Sequence, residues 1–146
     1  PSGDIEGAVT EADMACQLLA TTPGRHLSFA AMTAIVDRSI AGRFVEADKI
    51  AHSLLGDERF AGSANDPMIW AMPYLGWGQG DLAMTERYAE QLRNVGERFD
   101  LHDAIPGAAF FLGRASYERN QLDTAESELR RVIELRFATR PLFLAH

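Results

Sequence analysis

Residues 42–47 read Gly-Arg-Phe-Val-Glu-Ala, and the pattern of this phrase recurs along the chain. The four copies are Gly3-Asp4-Ile5-x-x-Ala8, Gly42-Arg43-Phe44-x-x-Ala47, Gly80-Asp81-Leu82-x-x-Thr85 and Asn120-Gln121-Leu122-x-x-Ala125. Their first residues are 39, 38 and 40 positions apart. A period of this size is typical of supersecondary units that stack into an array. The phrase therefore predicts a repeat protein, whose extended surface suits binding.

Each copy of the phrase predicts a tight turn between two helices. Gly or Asn suits the left-handed conformation that ends many helices. We expect the apolar residue two positions on to plug the bend, and the small residue three further on to let the second helix approach closely. Apolar or small residues then recur at helical spacing. These pairs are Ala12 and Ala15, Ala51 and Leu54, Ala89 and Leu92, and Leu129 and Val132.

The predicted fold class is all-α, with about three and a half helical hairpins stacked as a right-handed superhelix. No stretch alternates with period two for long enough to predict a strand. The predicted helices span residues 5–20, 27–41, 45–55, 68–79, 83–99, 106–119 and 123–137. Residues 21–24 and 56–66 are predicted loops. Asp66 and Pro67 form a helix-start signal, and Pro73 predicts a kink or a split in the fourth helix.

The 146 residues are of single-domain size, and we expect one helical-repeat domain over 1–146. Its approximate repeats are 1–25, 26–65, 66–104 and 105–140, with the start of another at 141–146. Both ends fall inside a repeat, so we expect the chain to be a fragment of a longer array.

Charge and composition disfavour several partners. The net charge is -7 and Lys49 is the only lysine, whereas phosphate contacts need clustered basic residues. We therefore expect no direct nucleic-acid binding by this segment. No apolar stretch reaches membrane-spanning length, so no membrane partner is expected. Cys16 has no second cysteine to pair with, which fits a cytoplasmic location.

Motifs for catalysis, metals and cofactors are weak. The run Gly76-Trp77-Gly78-Gln79-Gly80 lacks the preceding strand that a phosphate-binding loop requires, so a turn with close packing is the better interpretation. No two histidines have the i, i+4 spacing of a helical metal site. The carboxylate pairs Glu86/Glu90 and Glu97/Asp100 are interpreted as a solvated helix face, His102-Asp103 as a solvated loop, and Cys16 as a small buried thiol. We expect no enzyme, no metal and no cofactor.

The aromatic residues predict a groove. The first helix of each hairpin is expected to line the concave face, so its inner positions lie 13, 10, 6 and 3 residues before each turn residue. These positions hold Phe29, Met32, Val36, Ser39, Pro67, Trp70, Tyr74, Trp77, Gly107, Phe110, Arg114 and Tyr117. Rigid aromatics with an Arg are typical of interface hot spots and ligand pockets. The predicted ligand or partner groove comprises Phe29, Met32, Trp70, Tyr74, Trp77, Phe110, Arg114 and Tyr117. Packing between hairpins is the alternative explanation.

Two phrases carry a family resemblance: Gln79-Gly80-Asp81-Leu82-x-x-Thr85-Glu86 and Tyr117-Glu118-Arg119-Asn120-Gln121-Leu122-x-x-Ala125-Glu126-x-x-Leu129. They resemble tetratricopeptide-like arrays, in the style of the sensor region of the large ATP-dependent LuxR-type (MalT-like) transcriptional regulators. The period here exceeds the roughly 34 residues of ordinary tetratricopeptide repeats, and the usual terminal Pro is missing. The family's phosphate loop and helix-turn-helix domain do not occur in this chain.

The resemblance implies a tetratricopeptide-like α-α superhelix that acts as a non-enzymatic module for effector sensing or oligomerisation. Its partner would be a small-molecule effector or a protein in the concave groove, and the module could also self-associate. A generic protein–protein interaction scaffold is the main competing interpretation. An enzyme and a spacer between two active domains also stay open, although an enzyme would need convergent titratable groups in a pocket.

Overall fold

Seven α-helices make up the described part of the chain. The computed structural model describes residues 4–19, 25–54 and 67–139. The helices are α1 (Ile5–Leu19), α2 (Arg25–Ile40), α3 (Phe44–Leu54), α4 (Pro67–Gln79), α5 (Leu82–Phe99), α6 (Ala104–Glu118) and α7 (Leu122–Thr139). No strand occurs within these residues. The predicted all-α class is therefore confirmed, whereas the right-handed superhelix stays a prediction.

Each helix packs against the next one along the chain, and α4 lies at the centre of the packing. Besides its sequence neighbours α3 and α5, α4 contacts α2 on one side and α6 on the other. The main apolar cluster joins α2, α3, α4 and α5 around Ile35, Ala47, Leu75 and Tyr88. Since α4 carries apolar side chains on nearly all sides, it suits a position with neighbours around it.

The three complete turns of the repeated phrase share one geometry. Gly42, Gly80 and Asn120 have φ angles of +74°, +75° and +59°. The amide that follows each of them donates to a carbonyl five residues earlier, at 2.8, 2.8 and 2.9 Å. This hydrogen bond and the left-handed residue define the Schellman motif. The prediction of a left-handed helix end in these copies is confirmed.

The small residue inside the phrase also behaves as predicted at α4–α5. Thr85 is fully buried, and its backbone nitrogen lies 2.9 Å from where a Cβ of Gly76 would stand. The two helices thus approach closely because Gly76 has no side chain. The predicted plug is confirmed only in part. Phe44 packs into the core against Gly78, but Leu122 is 55% exposed. That exposure corrects the prediction for the last copy, since α7 is the last described helix and none packs over Leu122.

Pro73 does not split α4, which runs unbroken from Pro67 to Gln79. Proline removes one helical hydrogen bond and crowds the carbonyl four residues earlier. Here Pro73 itself is buried, with Met72 and Leu75 beside it. Tertiary packing on the neighbouring helices therefore outweighs the local cost.

Pro106 lies in the first turn of α6, where an amide has no helical partner, so α6 begins earlier than predicted.

A buried arginine ties α1 to α2 and α3. The side chain of Arg38 is 6% exposed and donates to both carboxylate oxygens of Asp13 at 2.6 Å. Its Nε lies 3.6 Å from Glu46, which also accepts from Arg43 at 2.7 Å. Arg43 reaches Glu6 at 3.1 Å. The five charges form one chain of contacts across three helices.

Cys16 faces this network and is half-buried, so it is less enclosed than predicted. Burial raises the pKa of its thiol, and the nearby Asp13 carboxylate adds to the effect.

None of the helices in the described part combines the length and apolar character that a membrane crossing requires. The predicted loops at 21–24 and 56–66, the Asp66 cap and the start of another repeat at 141–146 lie outside the described residues.

Candidate functional site

Helices α4 and α6 bring aromatic side chains together although α5 separates them in sequence. Tyr74 and Phe111 meet edge to face, with ring centroids 4.6 Å apart. Trp77 lies 6.3 Å from Phe110 and 6.5 Å from Phe111, again near perpendicular. These distances and angles are the ones that aromatic quadrupoles favour. We call Tyr74, Trp77, Phe110, Phe111 and Arg114 the aromatic patch.

Phe111 is the centre of the aromatic patch, and sequence reasoning missed it. Its side chain is 2% exposed and contacts the rings of Tyr74, Trp77 and Phe110. Counting back from the turn selects only one face of the helix and passes over this position. The available signal was a large ring in a helix otherwise built largely from Ala and Gly at its buried positions. Phe111 holds the outer rings in place and leaves them open to solvent.

Arg114 adds a positive charge to the patch. Its guanidinium carbon lies 4.8 Å from the centroid of the Trp77 ring, within the range of a cation–π contact. Its only ion-pair neighbour in the described residues, Glu118, is 4.0 Å away, at the limit of an ion pair. The Nε atom is enclosed without a hydrogen bond, while the side chain as a whole is 38% exposed. The terminal nitrogens are therefore open to an incoming anion.

The outer rings of the aromatic patch are accessible. Tyr74 is 36% exposed and Phe110 is 37% exposed, which is high for rings that also pack on a core.

Gly113, next to Arg114, lets α7 approach α6 from the other side, because a Cβ there would lie 2.7 Å from Leu129. The patch thus lies on a helix that its neighbours hold firmly.

The remaining predicted groove residues lie apart from the patch. Met32 packs on the main core cluster, and Trp70 packs on the cluster of Ile69, Leu92, Ala104 and Ala108. Phe29 and Tyr117 are 65% and 58% exposed, and no ring contact in the described residues joins them to the patch. Four of the eight predicted residues, namely Tyr74, Trp77, Phe110 and Arg114, therefore come together in the patch.

The other inner-face positions differ in their local contacts. Val36 packs on the main core cluster. The Ser39 hydroxyl donates to the Ile35 carbonyl at 2.8 Å. A Cβ at Gly107 would meet only Leu92 at 3.6 Å. The side chain of Pro67 lies outside the described residues.

The glycine run 76–80 has the packing role that the sequence suggested. Gly80 forms the turn, Gly76 accommodates Thr85, and a Cβ on Gly78 would overlap the Phe44 ring. His102 is exposed in its loop and lies 4.0 Å from Asp100. No group of three or more metal-ligating side chains comes together within the described residues.

The aromatic patch has the parts needed to hold a ligand. Ring faces and edges bind a flat apolar group, and the guanidinium of Arg114 binds a carboxylate or phosphate. Comparison with models of known families, with curated proteins and with solved structures found no match to this chain.

Proposed function

We propose that this chain is a binding module whose aromatic patch holds a ligand with a flat apolar part and an anionic group. One observation carries the proposal: the cation of Arg114 lies on Trp77 beside an exposed Phe110, with its terminal nitrogens only loosely paired. By comparison, the arginines Arg38 and Arg93 pair with carboxylates at 2.6 and 2.8 Å. The incomplete pairing supports a role in recognition.

The resemblance to LuxR-type sensor regions extends this proposal to a biological role. A sensor region of a LuxR-type ATP-dependent regulator would bind its effector at such a patch. The ligand would shift a population of conformers without reacting. Transcription regulation, signal sensing and a cytoplasmic location are parts of this proposal.

A thermal-shift screen tests the proposal, with aromatic carboxylates, nucleotides and sugar phosphates as probes and neutral sugars for comparison. We expect an anionic probe to raise the melting temperature and to change the fluorescence of Trp77. Arg114→Gln removes the charge but keeps a long polar side chain. Since a hydrogen bond to a charged group contributes about 1.5–3 kcal/mol, this variant should bind about tenfold more weakly or worse.

Arg87→Gln is the matched control, because Arg87 also lies on a ring, that of Tyr88, at 4.7 Å but outside the patch. It should bind as the parent does. Trp70→Ala is a poorer test, since Trp70 packs on a core cluster and its loss lowers stability. Equal binding by Arg114→Gln and the parent, or no hit with well-folded protein, would contradict the proposal.

A protein–protein scaffold is the second candidate function. The exposure of Phe29 on α2 and Tyr117 on α6 favours it, because exposed aromatic side chains are enriched at protein interfaces. An extended partner would contact Phe29, whereas a small ligand at the patch would not. Phe29→Ala should therefore weaken partner capture and leave small-molecule binding unchanged.

A further inference from the structure

A second concave site lies on the other side of α6, between α5, α6 and α7. Glu86, Glu90, Leu112, Ser116, Thr124 and Glu128 line a cleft of about 330 Å³, which we call the acidic cleft. Successive residues of a helix point about 100° apart, so Leu112 points about 200° away from Phe110 of the aromatic patch. The acidic cleft is thus independent of the aromatic patch.

Two of the three carboxylates in the acidic cleft are already neutralised. Glu86 pairs with Arg119 at 2.9 Å, and Glu128 pairs with Arg93 at 2.8 Å. Glu90 has no ion-pair partner among the described residues and is exposed. Glu90 is therefore the one carboxylate of the cleft without a counter-charge among the described residues. A ligand with a single positive charge would complement it.

Ser116 contributes a hydroxyl group to the acidic cleft, in addition to the three carboxylates. Its residue is 6% exposed, and its hydroxyl makes no hydrogen bond to any described residue. Ser116 lines the cleft, and its hydroxyl oxygen is not fully enclosed. It provides an acceptor for a ligand's N–H.

The floor of the cleft is apolar, because Leu112 lines it and is 8% exposed. A primary ammonium carries three N–H donors and no acceptor, which suits the Glu90 carboxylate and the Ser116 hydroxyl. A short alkyl chain attached to it would cover Leu112. A metal ion is a poorer occupant, since no cluster suited to a metal occurs among the described residues.

We propose that the acidic cleft binds a small primary alkylammonium, with Glu90 as the counter-charge, Ser116 as a hydrogen-bond acceptor and Leu112 as the apolar contact. Glu86 and Glu128 remain in their ion pairs and shape the walls. The proposal rests on the cleft alone and does not depend on the ligand of the aromatic patch.

The test is a titration of the intact chain with n-butylammonium chloride, followed by amide NMR shifts at constant ionic strength. We expect saturable shifts at the amides of Ser116, Leu112 and Thr124. Butyltrimethylammonium has the same charge and no N–H donor, and it should bind at least about tenfold more weakly. Sodium chloride should give no saturable shift.

Variants of the cleft complete the test. Glu90→Gln removes the charge and Ser116→Ala removes the acceptor, and each should weaken binding by about tenfold or more. Glu11→Gln on α1 is the control, because it removes an exposed carboxylate far from the cleft in the packing order. Unchanged melting temperatures show that the variants fold. Parent-like affinity in either cleft variant, or equal binding of the two ammonium ions, would overturn the proposal.

Discussion

Single glycines show how closely these helices pack. A Cβ added at Gly76 would lie 2.8 Å from the Thr85 hydroxyl and 2.9 Å from its backbone nitrogen. At Gly107, on α6, the nearest atom would be Leu92 Cδ2 at 3.6 Å, an ordinary contact. Both glycines lie inside helices. The same substitution should therefore have opposite effects at the two positions.

Gly76→Ala should lower the free energy of unfolding by about 1–3 kcal/mol, because the backbone of α5 has to move. Gly107→Ala should raise it by about 0.5–1 kcal/mol, because alanine loses less backbone entropy in a helix. Urea unfolding of both variants gives the comparison. A stabilised Gly76→Ala would mean that α4 and α5 are not in close contact.

At the scale of single residues, the sequence predicts the features that depend on local backbone conformation. The left-handed turns follow from Gly42, Gly80 and Asn120, which tolerate positive φ. Asp100 also has a positive φ, of 53°, but aspartate gives a weaker signal for this conformation and no turn of this kind was predicted there. Phe111 is noticeable in the sequence only as a large ring among small residues, because its role as the centre of the patch depends on rings of α4 distant in sequence.

Among the elements, charged side chains link α1 to α2 and to the start of α3. Glu46 is central, because it contacts both Arg43 and Arg38. The hydrogen bond from Arg43 lowers the pKa of Glu46, and the charges of Arg43 and Arg38 act in the same direction. A carboxyl whose pKa is lower in the folded state stabilises the fold above its unfolded pKa. That contribution is lost as the pH falls through the folded pKa.

The prediction concerns acid stability. The parent should lose stability as the pH falls below about 4.3, the ordinary glutamate value. Glu46→Gln should be less stable than the parent at pH 7 and should lose less on acidification, so the two curves converge. Glu11→Gln, exposed and outside the network, is the control and should follow the parent. Parallel curves for Glu46→Gln and the parent would show that the contact does not influence stability.

The sequence predicts well where the helices lie along the chain. It predicts poorly which helices and side chains contact one another. The apolar spacing of α5 and α7 indicates helices whatever packs on them. Pro73 predicted a kink or a split in α4, and packing overrides the split. Nothing local to Arg38 indicates that it pairs with Asp13 on another helix. Such contacts depend on where the helices lie in space, so they appear only in the structure.

On the scale of the whole molecule, α4 connects the two halves of the described chain. Leu75 is fully buried in the main core cluster, which contains side chains of α2, α3, α4 and α5. Through α4 and α5 the same packing reaches α6. We expect the described helices to unfold as one unit.

Leu75→Ala should lower the free energy of unfolding by about 2–5 kcal/mol, the usual cost of a cavity in a core. Its denaturation curve should stay a single transition with an unchanged slope, measured both by circular dichroism and by tryptophan fluorescence. Leu122→Ala is the matched control, since Leu122 is 55% exposed, and it should have little effect. Two separate transitions in Leu75→Ala would contradict a single cooperative unit.

The shared turn geometry has a consequence for exchange with heavy water. Turn amides usually face solvent and trade their protons for deuterium quickly, because opening them costs little. Here the amides of Arg43, Asp81 and Gln121 donate to carbonyls five residues earlier at the ends of α2, α4 and α6. Their protons leave only when a helix end unravels. These three turn amides should therefore exchange more slowly than the amides of ordinary turns. Their exchange rate should follow the rate at which the end of the preceding helix frays.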